Sequence, residues 1–111
     1  MDRMNLETLK SKLKNDNIAL FDVRGDDAYE IEHIPGAKTV PLTAIRERVD
    51  GLVDRDTEIV VYGERRDSES RREAVRILEE MGYENVSTFR EGLEGWKEAG
   101  LDVNRRREHR A

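Results

Sequence analysis

The chain has 111 residues, of which 36% are hydrophobic and 41% are charged. This length suffices for one domain with one core, and the periodic recurrence of the apolar residues argues against disorder. The net charge of −5, with mixed signs along the chain, disfavours a nucleic-acid-binding protein, and the absence of cysteine excludes disulfides, thiolate metal sites and persulfide chemistry on these residues.

No apolar run approaches the roughly 20 residues that a membrane span requires. The N-terminal residues 1–4 also lack the charged and then apolar pattern of a signal peptide. We therefore expect a soluble, cytoplasmic protein without a membrane partner.

Apolar spacing and capping residues predict helices that alternate with short strands. Asn5 is the expected N-cap of the first helix, and Thr43 that of a short helix in the middle of the chain. Ser70 and Glu73 fit a capping box, and Gly82 is placed to end the same helix in a left-handed conformation. The predicted helices cover residues 6–14, 26–31, 44–49, 71–81 and 92–99.

Short apolar runs predict strands over residues 18–23, 38–40, 58–62 and 85–88. The first and third runs lack polar alternation, as do strands of a parallel sheet that are buried on both faces. Strands that alternate with helices predict a three-layer α/β/α fold with a central, mainly parallel sheet of about four to five strands. We expect residues 1–104 to form this one domain and residues 105–111 to be a disordered basic tail, a soluble end rather than a nucleic-acid site.

Several segments, in order and with compatible spacing, resemble the rhodanese-like domain family over about residues 5–103. They are Asp22-Val23-Arg24, the block from Tyr29 to His33-Ile34-Pro35-Gly36-Ala37 and Pro41, then Gly82 with Asn85-Val86, and Gly92 with Trp96. In active members of that family, a cysteine at the start of a loop carries sulfur, and the backbone N–H groups of the loop converge on it. Because this chain has no cysteine, the resemblance implies the family's fold with a degenerate active loop.

Six residues of these segments are interpreted as scaffold: Asp22, Arg24, His33, Pro35, Gly36 and Trp96. Asp22 ends a strand and is expected to accept N–H bonds from the following turn, and Arg24 to pair with a carboxylate or with backbone carbonyls. His33 has no evident nucleophile or metal partner. A hydrogen bond to the backbone near the Pro35-Gly36 turn accounts for it.

The place of the family's cysteine falls at Gly63 when it is counted from the preceding strand, and nearer Arg65 when it is counted back from the following helix. Because the two counts differ, we expect a loop that is lengthened as well as substituted, and no residue is assigned as catalytic. Ser68 and Ser70 are the only hydroxyls of the loop. A serine nucleophile needs an adjacent base, and no histidine lies nearby in the sequence.

The arginines give this loop a candidate role as an anion site, because guanidinium groups beside the N–H donors of a helix N-terminus bind anions. The alternative is a solvated loop, since acidic residues are interleaved with the arginines. The candidate ligand loop comprises Gly63, Glu64, Arg65, Arg66, Asp67, Ser68, Glu69, Ser70 and Arg71. No cofactor and no metal site is predicted.

Three functions remain open. The first and favoured one is a non-catalytic binding or regulatory module that recognises a protein partner or a small anion. The second is an enzyme that acts on a phosphate or sulfur oxyanion through Arg65 and Arg66, without a cysteine nucleophile. The third is a subunit that contributes only scaffold or oligomerisation surface.

Overall fold

The computed structural model describes residues 2–15 and 18–105, which form an α/β domain. Its strands are β1 (Asp2–Arg3), β2 (Ile18–Asp22), β3 (Glu32–His33), β4 (Lys38–Thr39), β5 (Glu58–Tyr62), β6 (Val86–Phe89) and β7 (Asn104–Arg105). Its α-helices are α1 (Leu6–Asn15), α2 (Asp26–Ile31), α3 (Ile45–Arg48), α4 (Glu69–Glu80) and α5 (Gly92–Glu98). Single 3₁₀ turns, Leu42–Ala44 and Val49–Gly51, flank α3.

The central sheet has five parallel strands in the order β1-β6-β5-β2-β4. This confirms the predicted fold class, and β1 adds an edge strand that the sequence did not predict. β3 and β7 pair separately in an antiparallel ladder. The chain leaves β2 toward β4 on one side and leaves β5 toward β6 on the other. The carboxyl ends of β2 and β5 therefore form the topological switch point, where open α/β sheets usually bind ligands.

Alternate residues of the central strands supply two separate cores, one on each face of the sheet. On one face, Phe21 and Val61 pack with residues of α3 and α4, such as Ile45 and Leu78. On the other face, strand residues such as Leu20 and Val60 pack with residues of α1 and α5, such as Leu9 and Trp96. This two-sided burial explains the continuous apolar runs of β2 and β5, because neither face of either strand meets water.

The ends of α4 correct one prediction and confirm another. Ser68, not Ser70, is the N-cap, because its Oγ accepts a hydrogen bond from the Arg71 N–H at 3.0 Å. The predicted capping box is therefore wrong: Ser70 lies inside the helix, and the Glu73 carboxylate pairs with Arg76. At the other end, Gly82 adopts a φ of 98°, which supports a Schellman motif with N–H bonds from residues 82 and 83 to the carbonyls of residues 79 and 78.

Of three further segments, one confirms the sequence prediction and two differ from it. Asn5 caps α1 as predicted, through Oδ1 to the Thr8 N–H at 2.8 Å. Thr43 caps nothing, because it lies within the 3₁₀ turn before α3 and no side chain caps that helix. Arg105, predicted to begin a disordered tail, pairs with Glu32 in the β3–β7 ladder, and residues 106–111 of that tail lie outside the described residues.

Within the described ranges, no helix is long and apolar enough to cross a bilayer.

Candidate functional site

The loop between β5 and α4 consists of residues 63–68 and leaves the sheet at its carboxyl edge. Gly63 follows β5 directly, and the helix begins earlier than the sequence predicted because Ser68 caps it. Six residues thus separate β5 from α4, and the count from the strand places the family's cysteine at Gly63.

Ser68 occupies the space that a side chain at position 63 would need. A β-carbon built on Gly63 would lie 2.2 Å from Ser68 Oγ and 2.8 Å from Ser68 Cβ, closer than real β-carbons approach any atom. Ser68 is not displaced at low cost, because its hydroxyl holds the first turn of α4 through the Arg71 N–H. The loop therefore lacks not only a cysteine but also the room for one.

Helix α5 closes the same loop from the other side. The N–H groups of Leu93 and Glu94 donate to the carbonyls of Gly63 and Glu64 at 3.0 and 2.9 Å. Gly92 makes this approach possible, since its φ is 68° and a β-carbon there would lie 2.6 Å from the Gly63 carbonyl oxygen. The amide groups at the start of α5 are thus used to hold the loop in place.

Arg71 lies beneath the loop rather than on its surface. The residue is only 4% exposed, and its Nη1 donates to the carbonyls of Arg66 at 2.9 Å and Arg65 at 3.5 Å. Its Nε has no hydrogen-bond partner among the described residues. Burial, and after it the nearby charge of Arg90, lowers the pKa of Arg71. Arg71 therefore supports the loop from inside as a buried cation without a hydrogen-bonded carboxylate.

The remaining charged side chains of the candidate ligand loop point toward solvent and toward opposite charges. The side chains of Arg65 and Arg66 are 62% and 72% exposed, and they lie 4.0 Å from Glu94 and 3.8 Å from Glu91. Asp67 is exposed, and Glu69 pairs with Arg72 at 3.3 Å. Two of the arginines predicted to bind an anion are thus partly neutralised by α5.

At the switch point, Asp22 and Arg24 form a buried ion pair. The Asp22 side chain is fully buried and that of Arg24 is 8% exposed, and Arg24 Nη2 lies 2.8 Å from Asp22 Oδ2. Arg24 also donates through its backbone N–H to Asp22 Oδ1 and through Nη2 to the carbonyl of Glu32. Its Nη1 reaches the loop, at 3.0 Å from Glu64 Oε1. Both partners expected for Arg24, a carboxylate and backbone carbonyls, are present.

Tyr62 completes this buried network. Its hydroxyl donates to Asp22 Oδ2 at 2.6 Å and accepts from the Ile34 N–H at 3.1 Å. Burial, followed by the negative charge of Asp22, raises the pKa of Tyr62 well above its ordinary value. Burial alone would lower the pKa of Arg24, but its hydrogen bond to Asp22 and the charges around it raise it overall. The charges of Asp22 and Arg24 neutralise each other, and Tyr62 stays uncharged. The network therefore holds β2, β5 and α2 together and offers no general base.

The other scaffold residues lie beside this network. His33 Nδ1 is 2.7 Å from the carbonyl oxygen of Tyr29, and the two rings stack with centroids 3.7 Å apart. The backbone partner of His33 is thus Tyr29 and not the neighbouring turn. Pro35 and Gly36 form that turn, in which Gly36 has a φ of 90° and the Ala37 N–H donates to the Ile34 carbonyl. Trp96 is buried, and its Nε1 donates to the carbonyl of Asp102 at 2.8 Å.

No nucleophile is assembled at the loop. Ser68 is committed to capping α4, and Ser70 lies within that helix. The described residues also contain no group of three or more His, Cys, Asp or Glu side chains that could hold a metal ion. The geometry supplies hydrogen-bond donors and positive charge, which are groups that bind rather than groups that react.

A second feature of the carboxyl edge was missed by sequence reasoning. A cleft of about 250 Å³ beside the loop is lined by Arg3, Met4, Asn5, Arg66, Arg90 and Glu91, and we call it the arginine cleft. Arg3 belongs to the unpredicted strand β1, so no pattern pointed to it. Arg90 directly follows β6, and the rule that ligands bind at the carboxyl ends of parallel strands could have identified it.

Comparison with known proteins places this geometry in a family. The family model described as Rhodanese-like domain matches residues 5–99. A putative sulfur carrier protein of Bacillus subtilis is 30% identical over 94 residues, which cover 84% of this chain and 49% of that protein. An HTH-type transcriptional regulator of Mycobacterium tuberculosis is 34% identical over 87 residues, which cover 78% of this chain and 38% of that protein. The chain thus spans about half the length, or less, of these two curated relatives.

Solved structures agree with the family model. The solution structure of a rhodanese-like domain from an Anabaena protein has a TM-score of 0.83 at 29% identity, and the match covers 95% of this chain and 80% of that one. A thiosulfate sulfurtransferase from Pseudomonas aeruginosa has a TM-score of 0.83 at 25% identity, over 96% of this chain and 21% of that chain. The backbone similarity extends over nearly all of this chain.

Proposed function

Because this chain belongs to the rhodanese-like domain family, we propose that it is a non-catalytic member that works as a binding or regulatory module. The observation that carries the proposal is the position of Ser68 Oγ, 2.2 Å from where a β-carbon at residue 63 would stand. With no cysteine in the chain and no room for a side chain at position 63, the loop lacks the sulfur carrier and the space for one.

The organised surroundings of the loop support a binding role over complete loss of function. The buried Asp22–Arg24–Tyr62 network reaches the loop through Glu64. The matching regions of the two curated relatives are parts of longer proteins, one of which is a transcriptional regulator by name. A domain of this kind could serve as the recognition part of a larger assembly, with a protein or a small anion as its ligand.

The alternative of an enzyme that uses Arg65 and Arg66 as clamps on an oxyanion has less support. Both side chains are highly exposed and lie within ion-pair distance of glutamates on α5. Electrostatic catalysis depends on charges that are held in place away from water, where their effect is larger. No described side chain near these arginines is placed as a nucleophile.

The proposal is tested by a thiosulfate:cyanide sulfurtransferase assay on the purified protein. We expect no thiocyanate above the buffer blank at any protein concentration. Repeated chromatography controls for contaminating sulfurtransferases, since a contaminant separates from the protein. Thiocyanate formation that rises in proportion to protein and persists through these further purification steps would overturn the proposal.

A further inference from the structure

The arginine cleft holds more positive charge than its acidic neighbours neutralise. Arg3, Arg66 and Arg90 line it together with one acidic residue, Glu91. Glu91 lies 3.8 Å from Arg66, whereas Arg3 and Arg90 make no ion pair with any side chain that the structure describes. This local surplus occurs in a chain whose net charge is −5, so it is not the result of a generally basic surface.

The buried charge of Arg71, which lies near Arg90 and Arg3, adds to this surplus. The guanidinium of Arg71 is almost completely buried, and its Nε has no acceptor among the described residues. Arg90 and Arg3 are both near enough to Arg71 to disfavour its charged form, and Asp67 opposes them. A buried charge that is not neutralised is costly, so a negative charge in the cleft would stabilise the group of arginines.

The backbone around the cleft also favours a negatively charged ligand. The Met4 N–H donates to the Thr88 carbonyl at 2.7 Å, which holds the end of β1 beside the end of β6. Directly after it, Asn5 caps α1, a helix of 10 residues whose N-terminus carries the positive end of the helix dipole. The cleft thus combines guanidinium groups with a helix N-terminus, and both attract anions.

We propose that the arginine cleft binds a tetrahedral oxyanion, a phosphate- or sulfate-type group, through the guanidinium groups of Arg3, Arg90 and Arg66. A volume of about 250 Å³ lies just below the range of roughly 300–1,000 Å³ for drug-sized ligands, so the cleft fits one such group rather than a large molecule. This inference deepens the binding role proposed above, and its biological meaning rests on that role. The proposed site lies at the ends of β1 and β6 and shares Arg66 with the candidate ligand loop.

The test is a titration of the ¹⁵N-labelled protein with inorganic phosphate, with ionic strength held constant by sodium chloride. We expect saturable amide shifts at residues 3–5 and 90. Because hydrogen bonds to charged groups contribute about 1.5–3 kcal/mol, Arg90→Gln should weaken the phosphate Kd about tenfold or more. Arg3→Gln changes an exposed side chain and serves as the second variant if Arg90→Gln does not fold.

Arg46→Gln is the matched control, because Arg46 is an exposed arginine on α3 that pairs with Glu80 at 3.2 Å. It should leave the phosphate Kd within twofold of wild type. Equal weakening by Arg46→Gln and Arg90→Gln, shifts that do not saturate, or loss of binding by Arg65→Gln but not by Arg90→Gln would each overturn the proposal. The sulfurtransferase assay is independent of these outcomes, so failure of the cleft and failure of the non-catalytic proposal are distinguishable.

Sulfate and phenyl phosphate, titrated in parallel, distinguish the sources of the anion. Comparable affinity for inorganic phosphate and sulfate supports a site for a free oxyanion. Tighter binding of phenyl phosphate supports a site for a phosphoryl group carried by a larger ligand, with one oxygen directed out of the cleft. Binding of all three no tighter than that of chloride would contradict the proposal.

Discussion

Two buried arginines at the carboxyl edge of the sheet have opposite electrostatic surroundings. Arg24 forms an ion pair with the fully buried Asp22, and its pKa is raised. The Arg71 side chain is also buried, but among the described residues it is hydrogen-bonded only to backbone carbonyls, and its pKa is lowered. The first site is neutral as a unit and stabilises the scaffold. The second leaves positive charge beside a cleft, which is the property expected of a binding site.

The largest expected effect is from Arg24→Met. This change leaves the Asp22 carboxylate buried without its cation, and breaking a buried pair in this way costs about 3–5 kcal/mol. Urea unfolding should therefore show a large fall in the free energy of unfolding. Arg46→Met, at an exposed pair, is the control and should cost no more than about 1 kcal/mol. A loss for Arg24→Met as small as that of the control would contradict the role assigned to the pair.

Arg71→Met should cost less than Arg24→Met, although the two side chains are similarly buried. The change removes hydrogen bonds to the carbonyls of Arg65 and Arg66 but leaves no buried carboxylate without a partner. We expect a loss of about 1–3 kcal/mol in the same urea experiment. A cost equal to or above that of Arg24→Met would show that the two arginines do not differ as proposed.

Gly63→Ala tests whether the loop has room for a β-carbon at position 63. The added β-carbon would lie 2.2 Å from Ser68 Oγ, and overpacking of this kind costs about 1–3 kcal/mol. Urea unfolding of Gly63→Ala should show this loss, and Gly51→Ala, where nothing lies within 4 Å of the new β-carbon, should not. Equal stability of Gly63→Ala and wild type would mean that the loop has room for a side chain.

Ser68→Ala and Ser70→Ala distinguish the cap found in the structure from the one that the sequence predicted. Loss of the true N-cap costs about 1 kcal/mol, within a range of 0.5–2. We expect that loss for Ser68→Ala and a change of only a few tenths of a kcal/mol for Ser70→Ala, which lies inside α4. Thermal unfolding of the two variants measures the difference, and the reverse order would restore the capping box.

The smallest expected effect is from Glu32→Gln, which removes the ion pairs of Glu32 with Lys97 on α5 and Arg105 on β7. The hydrogen bond from Lys97, opposed by burial and assisted by the charges of Lys97 and Arg105, lowers the pKa of Glu32. Because the folded pKa is depressed, this contribution is present above the unfolded value of about 4.3 and is lost as the pH falls through the folded pKa. Glu32→Gln should cost below about 1 kcal/mol at pH 7 and less at pH 3, measured by urea midpoints. A stability cost of Glu32→Gln that is larger at pH 3 than at pH 7 would contradict the lowered pKa of Glu32.

The fold was largely predictable because its signals are local and repeated. The apolar runs of β2 and β5 and the glycine at the end of α4 determine strands, helix ends and layers from neighbouring residues alone. β1, β3 and β7 were missed because each is two residues long and forms only by pairing with a distant strand. No periodicity can appear in two residues.

The candidate site was less predictable, because its properties depend on which side chains are buried. Arg71 belongs to the same arginine-rich stretch as Arg72, yet the first is buried and the second is exposed. The sequence pattern pointed to Ser70 as the cap, whereas the path of the backbone makes Ser68 the cap. Arg3 and Arg90 are far apart in the chain and meet only because β1 and β6 are parallel neighbours.

The most direct test of the closed loop is the rate of thiocyanate formation from thiosulfate and cyanide by a folded Gly63→Cys variant. Ser11→Cys, with its cysteine at an exposed position of α1, is the control for an unsupported thiol. Because Ser68 occupies the place of the side chain, we expect Gly63→Cys to be no faster than Ser11→Cys. A rate for Gly63→Cys that rises well above this control and saturates with thiosulfate would contradict the closed loop, since the loop would then need only its sulfur.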